Sequence, residues 1–291
     1  MLRSAPVDGF ELAYERGGAG DGVVLLHGWP GDRMDYRHVA ELLGDCTVVV
    51  PDLRGFGESD KHSEPPADAY SGDAQARSVV GLIDELGLAP AVLAGYDVGS
   101  RVAQTIARTF PDRVRALVVS PPLPGVGDRV LAPDAQREFW YQAFHQLSLV
   151  EEIIDGRVAA VRAYLGHFWS HWSGPSLRQP DAELDRLARL YGAPGAFTAS
   201  IAWYRAGSGT VARSLSEVTP ERDERIAVPT TVLQPELDPL FPPAWSDRMD
   251  EFYADVTITA LPGVGHFVPI EAPDEFAAAI QAALAAAPGP A

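Results

Sequence analysis

Short apolar runs alternate with longer amphipathic stretches through the first 120 residues. Val23-Val24-Leu25-Leu26, Val48-Val49-Val50, Val92-Leu93 and Leu117-Val118-Val119 read as strands, and they are apolar throughout rather than at every second position. Strands of that kind belong to a sheet covered on both faces. Between them, the spacing predicts helices over Tyr36–Leu43, about Asp73–Leu86 and Arg101–Phe110; Gly87 and Pro111 stop the last two. Strand and helix in alternation predict parallel order. A further strand-like segment, Phe10–Tyr14, precedes the first run. From about Gly125 to Glu221 the strand pattern disappears and a helical, aromatic-rich pattern replaces it. It returns at Thr230–Leu233 and Val256–Thr259 and ends in an Ala-rich helix from Asp274, with a frayed tail expected over 286–291. The predicted architecture is an α/β core of residues 1–124 and 222–291, interrupted by a helical cap at 125–221.

In such a sheet the reactive edge lies beyond the carboxyl ends of the strands. His27, Asp52 and Asp97 all follow apolar strands there. Asp97 stands in Gly95-Tyr96-Asp97-Val98-Gly99, between a strand and a helix. That is the context of a nucleophile elbow, usually G-x-S-x-G. An Asp in place of Ser changes the chemistry. A carboxylate attacks acyl carbon poorly but saturated carbon well, displacing a halide or opening an epoxide, and it leaves an alkyl ester for water to cleave.

Composition narrows the partners. The 291 residues are 46% hydrophobic and 22% charged, enough for a full core. The net charge of −17 argues against nucleic acid and anionic membrane as partners. Cys46 is the only cysteine, which excludes an intrachain disulfide and a thiolate metal cluster. Neither an apolar signal region nor a membrane-spanning window is expected, so a cytoplasmic enzyme is the default. Oligomeric state has no sequence signal.

A carboxylate nucleophile needs a base, an orienting acid and an oxyanion hole. His266, in Gly263-Val264-Gly265-His266-Phe267, is the candidate base that activates the attacking water. Asp238 is the candidate acid that holds the imidazole, in the chain order nucleophile, acid, histidine. Glu236 is the alternative; Asp238 is favoured because it lies further beyond its strand. The oxyanion hole calls for the Val98 N–H and one from His27-Gly28-Trp29-Pro30-Gly31. Pro30 has no N–H, which leaves Trp29 as the donor. His27 itself reads as structural. His38 and His62 read as surface residues. His145, His167 and His171 read as packing within the helical segment, and no metal or other cofactor is expected.

At these residues the chain resembles the α/β-hydrolase-fold epoxide hydrolases. The resemblance rests on His27-Gly28-Trp29-Pro30-Gly31, Pro51-Asp52-Leu53-Arg54-Gly55-Phe56-Gly57-Glu58-Ser59, the Asp97 elbow, Asp238 and Gly265-His266-Phe267. It implies the α/β-hydrolase fold with an inserted cap. Two further segments, Phe139-Trp140-Tyr141-Gln142-Ala143-Phe144-His145-Gln146 and Ala202-Trp203-Tyr204-Arg205-Ala206, are similar to the bacterial cap. There each carries a ring-opening tyrosine, which implies that role for Tyr141 and Tyr204. An epoxide releases an alkoxide, which needs a proton that a phenol can supply. The aromatic lid implies an apolar pocket for a small apolar epoxide, with Trp29, Trp140, Phe144 and Trp203 as its walls.

Two other readings compete. A dehalogenase uses the same Asp, His and acid. Haloalkane dehalogenases place Trp after the nucleophile, where this chain has Val98. Fluoroacetate dehalogenases pair arginines there to hold a substrate carboxylate; here Arg101 is present, four residues on, and is expected to face solvent. The third reading is a non-catalytic module on a hydrolase fold, against which stand Asp97, Asp238, His266 and the two tyrosines.

Overall fold

The computed structural model describes residues 1–177 and 180–286. Among them, eight strands form one sheet in the order β1-β2-β4-β3-β5-β6-β7-β8. They are β1 Leu2–Arg3, β2 Ala13–Gly17, β3 Gly22–Leu26, β4 Thr47–Pro51, β5 Ala91–Gly95, β6 Val114–Val119, β7 Thr230–Pro235 and β8 Val256–Leu261. β1 and β2 pair antiparallel, and β2 pairs antiparallel with β4. The other pairings are parallel. β4 and β5 are buried at every residue, as apolar strands covered on both faces must be.

The early strand falls at Ala13–Gly17 rather than Phe10–Tyr14. Phe10 makes only an isolated bridge to Val7, because Asp8 and Gly9 turn the chain with φ of 52° and 82°. Helix α1 (Gly72–Glu85) packs on α2 (Asp97–Thr109), and α2 lies along β3, β5 and β6. Among the described residues between β6 and β7 the regular structure is helical and includes α3 (Trp140–Phe144), α4 (Val158–Trp172), α5 (Asp181–Tyr191), α6 (Ala202–Arg205) and α7 (Thr210–Ser216), with other short helical pieces. The last helix, α8 (Pro273–Ala286), packs on β5 to β7. The tail expected to fray lies, from 287 on, outside the described residues. Among the described residues no helix is long and apolar enough to cross a membrane.

Candidate active site

β5 ends at Gly95, and the chain reverses into α2 with Asp97 at φ 49°. A non-glycine residue in that left-handed region costs on the order of 1 kcal/mol, and the surroundings must hold it there. The flanking glycines make the turn possible. A Cβ on Gly99 would overlap the Leu26 carbonyl, and one on Gly95 would overlap the Gly99 backbone. Asp97 is 7% exposed, at the carboxyl edge of the sheet.

The loop after β3 wraps the carboxylate. Trp29 N–H donates to Asp97 Oδ1 at 2.7 Å. His27 braces this loop rather than entering the site. Its Nε2 accepts from Leu53 N–H at 3.0 Å, so Nδ1 carries the proton and donates to the Gly28 carbonyl at 2.9 Å. Asp52 is likewise structural, bound to Arg33 at 2.7 Å and to the Glu58 amide. Val98 is the second residue of α2, where helix N–H groups lack intrahelical acceptors.

His266 enters from the loop after β8. Its own N–H donates to the Trp172 carbonyl at 2.8 Å, which fixes the loop. The imidazole Nδ1 meets Asp238 Oδ2 at 2.9 Å, and Asp238 Oδ1 accepts from Leu240 N–H at 2.8 Å. The other ring nitrogen, Nε2, points at Asp97 Oδ2 from 3.6 Å, outside hydrogen-bond range. Burial works against a charged ring here, but Asp238 and Asp97 outweigh it, and the imidazole is pushed up to about 10. Glu236, the alternative acid, is exposed and accepts from Gly263 N–H at 2.8 Å.

The helical segment closes the site from above. Tyr141 on α3 stacks parallel to Trp29, ring centroids 5.6 Å apart. Tyr204 on α6 crosses Tyr141 at 5.6 Å and 87°. The two hydroxyls interact, and the Asp97 charge reaches both. Burial first, and then the neighbouring Asp97 carboxylate, raise Tyr141 well above the ordinary phenol value. Burial, Tyr141 and Asp97 do the same to Tyr204. Both phenols therefore hold their protons at neutral pH.

Of the expected pocket walls, Trp29 is in place and three others are not. Trp140 is 40% exposed and lines an outer apolar hollow with Phe144 and Tyr164. Trp203 is buried against Gly72 on α1. The reason is helical: consecutive residues diverge by about 100°, so Tyr141 and Tyr204 facing inward turn Trp140 and Trp203 away. The aromatics that do flank the site come from α4. Trp172 lies 5.1 Å from the His266 ring and 5.3 Å from Tyr141; Phe168 lies 4.9 Å from Trp29. Tyr164, Phe168 and Trp172 follow the i, i+4, i+8 spacing of one helix face, a signal present in the sequence.

Two more expectations change. Arg101 does not face solvent: it is 7% exposed, donates to the Leu123 carbonyl at 3.0 Å and lies 3.6 Å from Glu217. His145 packs as expected, but in the site wall, ringed by Trp29, Tyr141 and Tyr204, with Nε2 3.0 Å from the Tyr164 hydroxyl. Burial lowers it to about 3, so it is neutral. His171 pairs with Glu138 at 2.7 Å. Among the described residues no group of three or more His, Cys, Asp or Glu is placed to hold a metal.

Comparison with known proteins adds an independent line. A family model described as alpha/beta hydrolase fold matches residues 22–273. The soluble epoxide hydrolase of Corynebacterium sp. (strain C12) is 27% identical over 281 residues, which is 92% of this chain and 92% of that protein. The fluoroacetate dehalogenase of Burkholderia sp is 30% identical over 276 residues, 90% of this chain and 86% of that one. A solved structure titled as novel epoxide hydrolases of the alpha/beta hydrolases superfamily, from metagenomes of hot environments, superposes with a TM-score of 0.82 at 25% identity, covering 97% of each chain.

Proposed function

The chain belongs to the alpha/beta hydrolase fold family, and from that membership we propose that it is an epoxide hydrolase that converts a small apolar epoxide and water to a vicinal diol. The observation that carries this reading is the pair of buried, protonated phenols, Tyr141 and Tyr204, held over the Asp97 carboxylate. Likeness to the epoxide hydrolases of known sequence and structure supports it. In this reading residues 125–221 act as a cap, and the rings of Trp29, Phe168 and Trp172 enclose the substrate.

The reaction has two steps. An Asp97 oxygen attacks an epoxide carbon from the side opposite the ring oxygen. The carbon–oxygen bond breaks, and the departing oxygen takes a proton from Tyr141 or Tyr204. A carbon ester on Asp97 results. Alkylation removes the Asp97 charge, which is one of the two charges that hold the His266 imidazole protonated. The histidine therefore gives up its proton, which returns to the phenolate left by ring opening. Neutral His266 Nε2 then deprotonates water, which attacks the ester carbonyl. The tetrahedral oxyanion falls to the N–H groups of Trp29 and Val98, each worth several kcal/mol in such a site. Collapse expels the alkyl oxygen, which takes the proton of the acid formed at Asp97; this frees the diol with one oxygen from the original carboxylate and leaves Asp97 ionised and His266 protonated, as at the start.

The second reading is a dehalogenase acting on a haloacid or haloalkane, favoured by the 30% identity to the fluoroacetate enzyme. On a haloacid it would need a cation at the substrate carboxylate. Arg101 turns its two terminal nitrogens to the Leu123 carbonyl and Glu217, and its neighbouring charges do not include Asp97. Incubation with a panel of epoxides and haloacids separates the two. Diol release without halide release is expected; halide release from a haloacid with no diol from any epoxide would reverse the assignment. A single turnover in heavy-oxygen water tests the covalent step. The first diol should carry unlabelled oxygen while label enters the peptide containing Asp97. Label in that first diol means direct attack by water.

A further inference from the structure

Helix α2 carries a second cluster of charge, turned away from Asp97. Arg101 and Arg108 stand two turns apart on one side of it, and α7 of the helical segment brings Arg213 against them. All three line two adjoining hollows of 330 and 210 Å³. The acidic residues around these hollows are partly committed. Glu217 lies 3.6 Å from Arg101 and accepts from Gly125 N–H at 2.7 Å. Glu224 accepts from Glu221 N–H at 3.3 Å, and Asp73 sits exposed on α1.

The donors exceed their acceptors. Among the described residues, the side chains of Arg108 and Arg213 make no hydrogen bond or ion pair. The Nε of the buried Arg101 has no partner, and neither does the buried hydroxyl of Tyr253 close to it. Arg108 is exposed and Arg213 half-buried, and the two like charges face each other across the hollows. The unmet Arg101 Nε and Tyr253 hydroxyl are costly because they are buried, and like charges brought together add to that cost. An oxyanion with several acceptor oxygens relieves both costs at once.

We propose that this cleft binds a phosphoryl group, free or carried on a small metabolite, held between Arg108 and Arg213 with Arg101 behind it. Planar guanidinium groups suit phosphate oxygens, two bonds at a time. The larger hollow falls within the range of small-molecule sites, which leaves room for an organic phosphate. The site joins α2, which begins at Asp97, to the segment that carries Tyr141 and Tyr204. Occupancy therefore ties the two together. This inference stands apart from the reaction, because binding is read without any substrate.

The test is calorimetric titration of the intact chain with inorganic phosphate, pyrophosphate and phenyl phosphate at constant ionic strength, with thermal melting alongside. Saturable binding at one site and a rise in Tm that sodium chloride does not reproduce are expected. Arg108→Gln and Arg213→Gln should each weaken binding by about tenfold or more, with unchanged circular dichroism. Glu217→Gln keeps an acceptor for Gly125 but loses a competing charge, and should tighten binding. Tighter binding of phenyl phosphate than of phosphate supports a carried phosphoryl group; the reverse order supports the free ion. Absence of saturable binding for all three probes overturns the proposal. So does binding that is unchanged in both arginine variants and in Glu217→Gln.

Discussion

The Nε2 of His266 lies 3.6 Å from Oδ2 of Asp97, near enough for the charges to pair and too far for a hydrogen bond. Together with Asp238 at 2.9 Å, this keeps the imidazole protonated, with its pKa pushed up to about 10. Neutralising Asp97 removes one of the two raising charges. In Asp97→Asn the His266 titration, followed by NMR of a histidine-labelled chain, should therefore move to lower pH than in the parent. The same group bears on stability. A folded value above the unfolded one of about 6.5 contributes stability that is complete below that pH and is lost as pH rises toward about 10. Denaturant unfolding between pH 6 and 10 should show that decline, and it should shrink in Asp238→Asn. An unmoved titration in Asp97→Asn would show that the 3.6 Å contact carries no coupling.

His266→Gln should divide the reaction. Alkylation of Asp97 does not need the base, whereas ester hydrolysis does. Hydrolysis should fall by roughly 10²–10⁴-fold, the range for a general base. Intact-mass spectra after addition of an epoxide should then show enzyme plus substrate accumulating. Normal turnover, or an inactive variant that never gains mass, contradicts this division of roles.

Asp238 and Glu236 are two residues apart but face different environments. Asp238 holds the imidazole tautomer, so Asp238→Asn should slow ester hydrolysis strongly while adduct formation persists. Glu236 only caps Gly263 N–H at the surface. Glu236→Gln should leave turnover within a few-fold of the parent. The reverse ranking in steady-state assays identifies Glu236 as the orienting acid.

Tyr141→Phe and Tyr204→Phe should each cut the rate of adduct formation by roughly 10²–10⁴-fold, with the double variant close to inactive. A halide leaves without a proton, so this loss marks an epoxide substrate. Stopped-flow fluorescence of Trp29 or Trp172, both within about 6 Å of the Tyr141 ring, follows the step. Near-normal alkylation in both single variants and in the double variant removes the case for ring-opening phenols.

Trp172 joins the helical segment to the loop that carries His266. Its carbonyl anchors His266 N–H, and its ring packs on His266 and Tyr141. Trp172→Ala should cost about 3–5 kcal/mol in denaturant unfolding, the usual scale for a buried Trp. Trp172→Phe, which keeps the contact to Tyr141, should cost less. Negligible losses in both variants point to a role in backbone anchoring alone.

Much of this protein is written locally in its sequence. Continuous apolar runs such as Val48–Val50 and Val92–Leu93 marked buried strands, because cover on both faces leaves no polar positions. Gly95, Asp97 and Gly99 marked the tight turn, because only glycine clears the Leu26 and Gly99 backbones there. His27–Gly31, Asp238 and His266 were placed at one edge because each follows a strand, and parallel strands end on the same side. Long-range geometry decided the rest. Which of two adjacent aromatics faces Asp97 depends on the rotation of a short helix about its axis. That rotation is set by packing on Trp29 and Trp172 rather than by composition, so Tyr141 turned in and Trp140 turned out. Arg101 looked like an exposed residue on an amphipathic helix until the segment after β6 folded over it, bringing Glu217 and Arg213 from more than a hundred residues away. The charge state of His266 arose in the same way. Neither the Gly-rich loop nor the burial of the ring favours a cation, and only the meeting of two distant carboxylates on one imidazole makes it one.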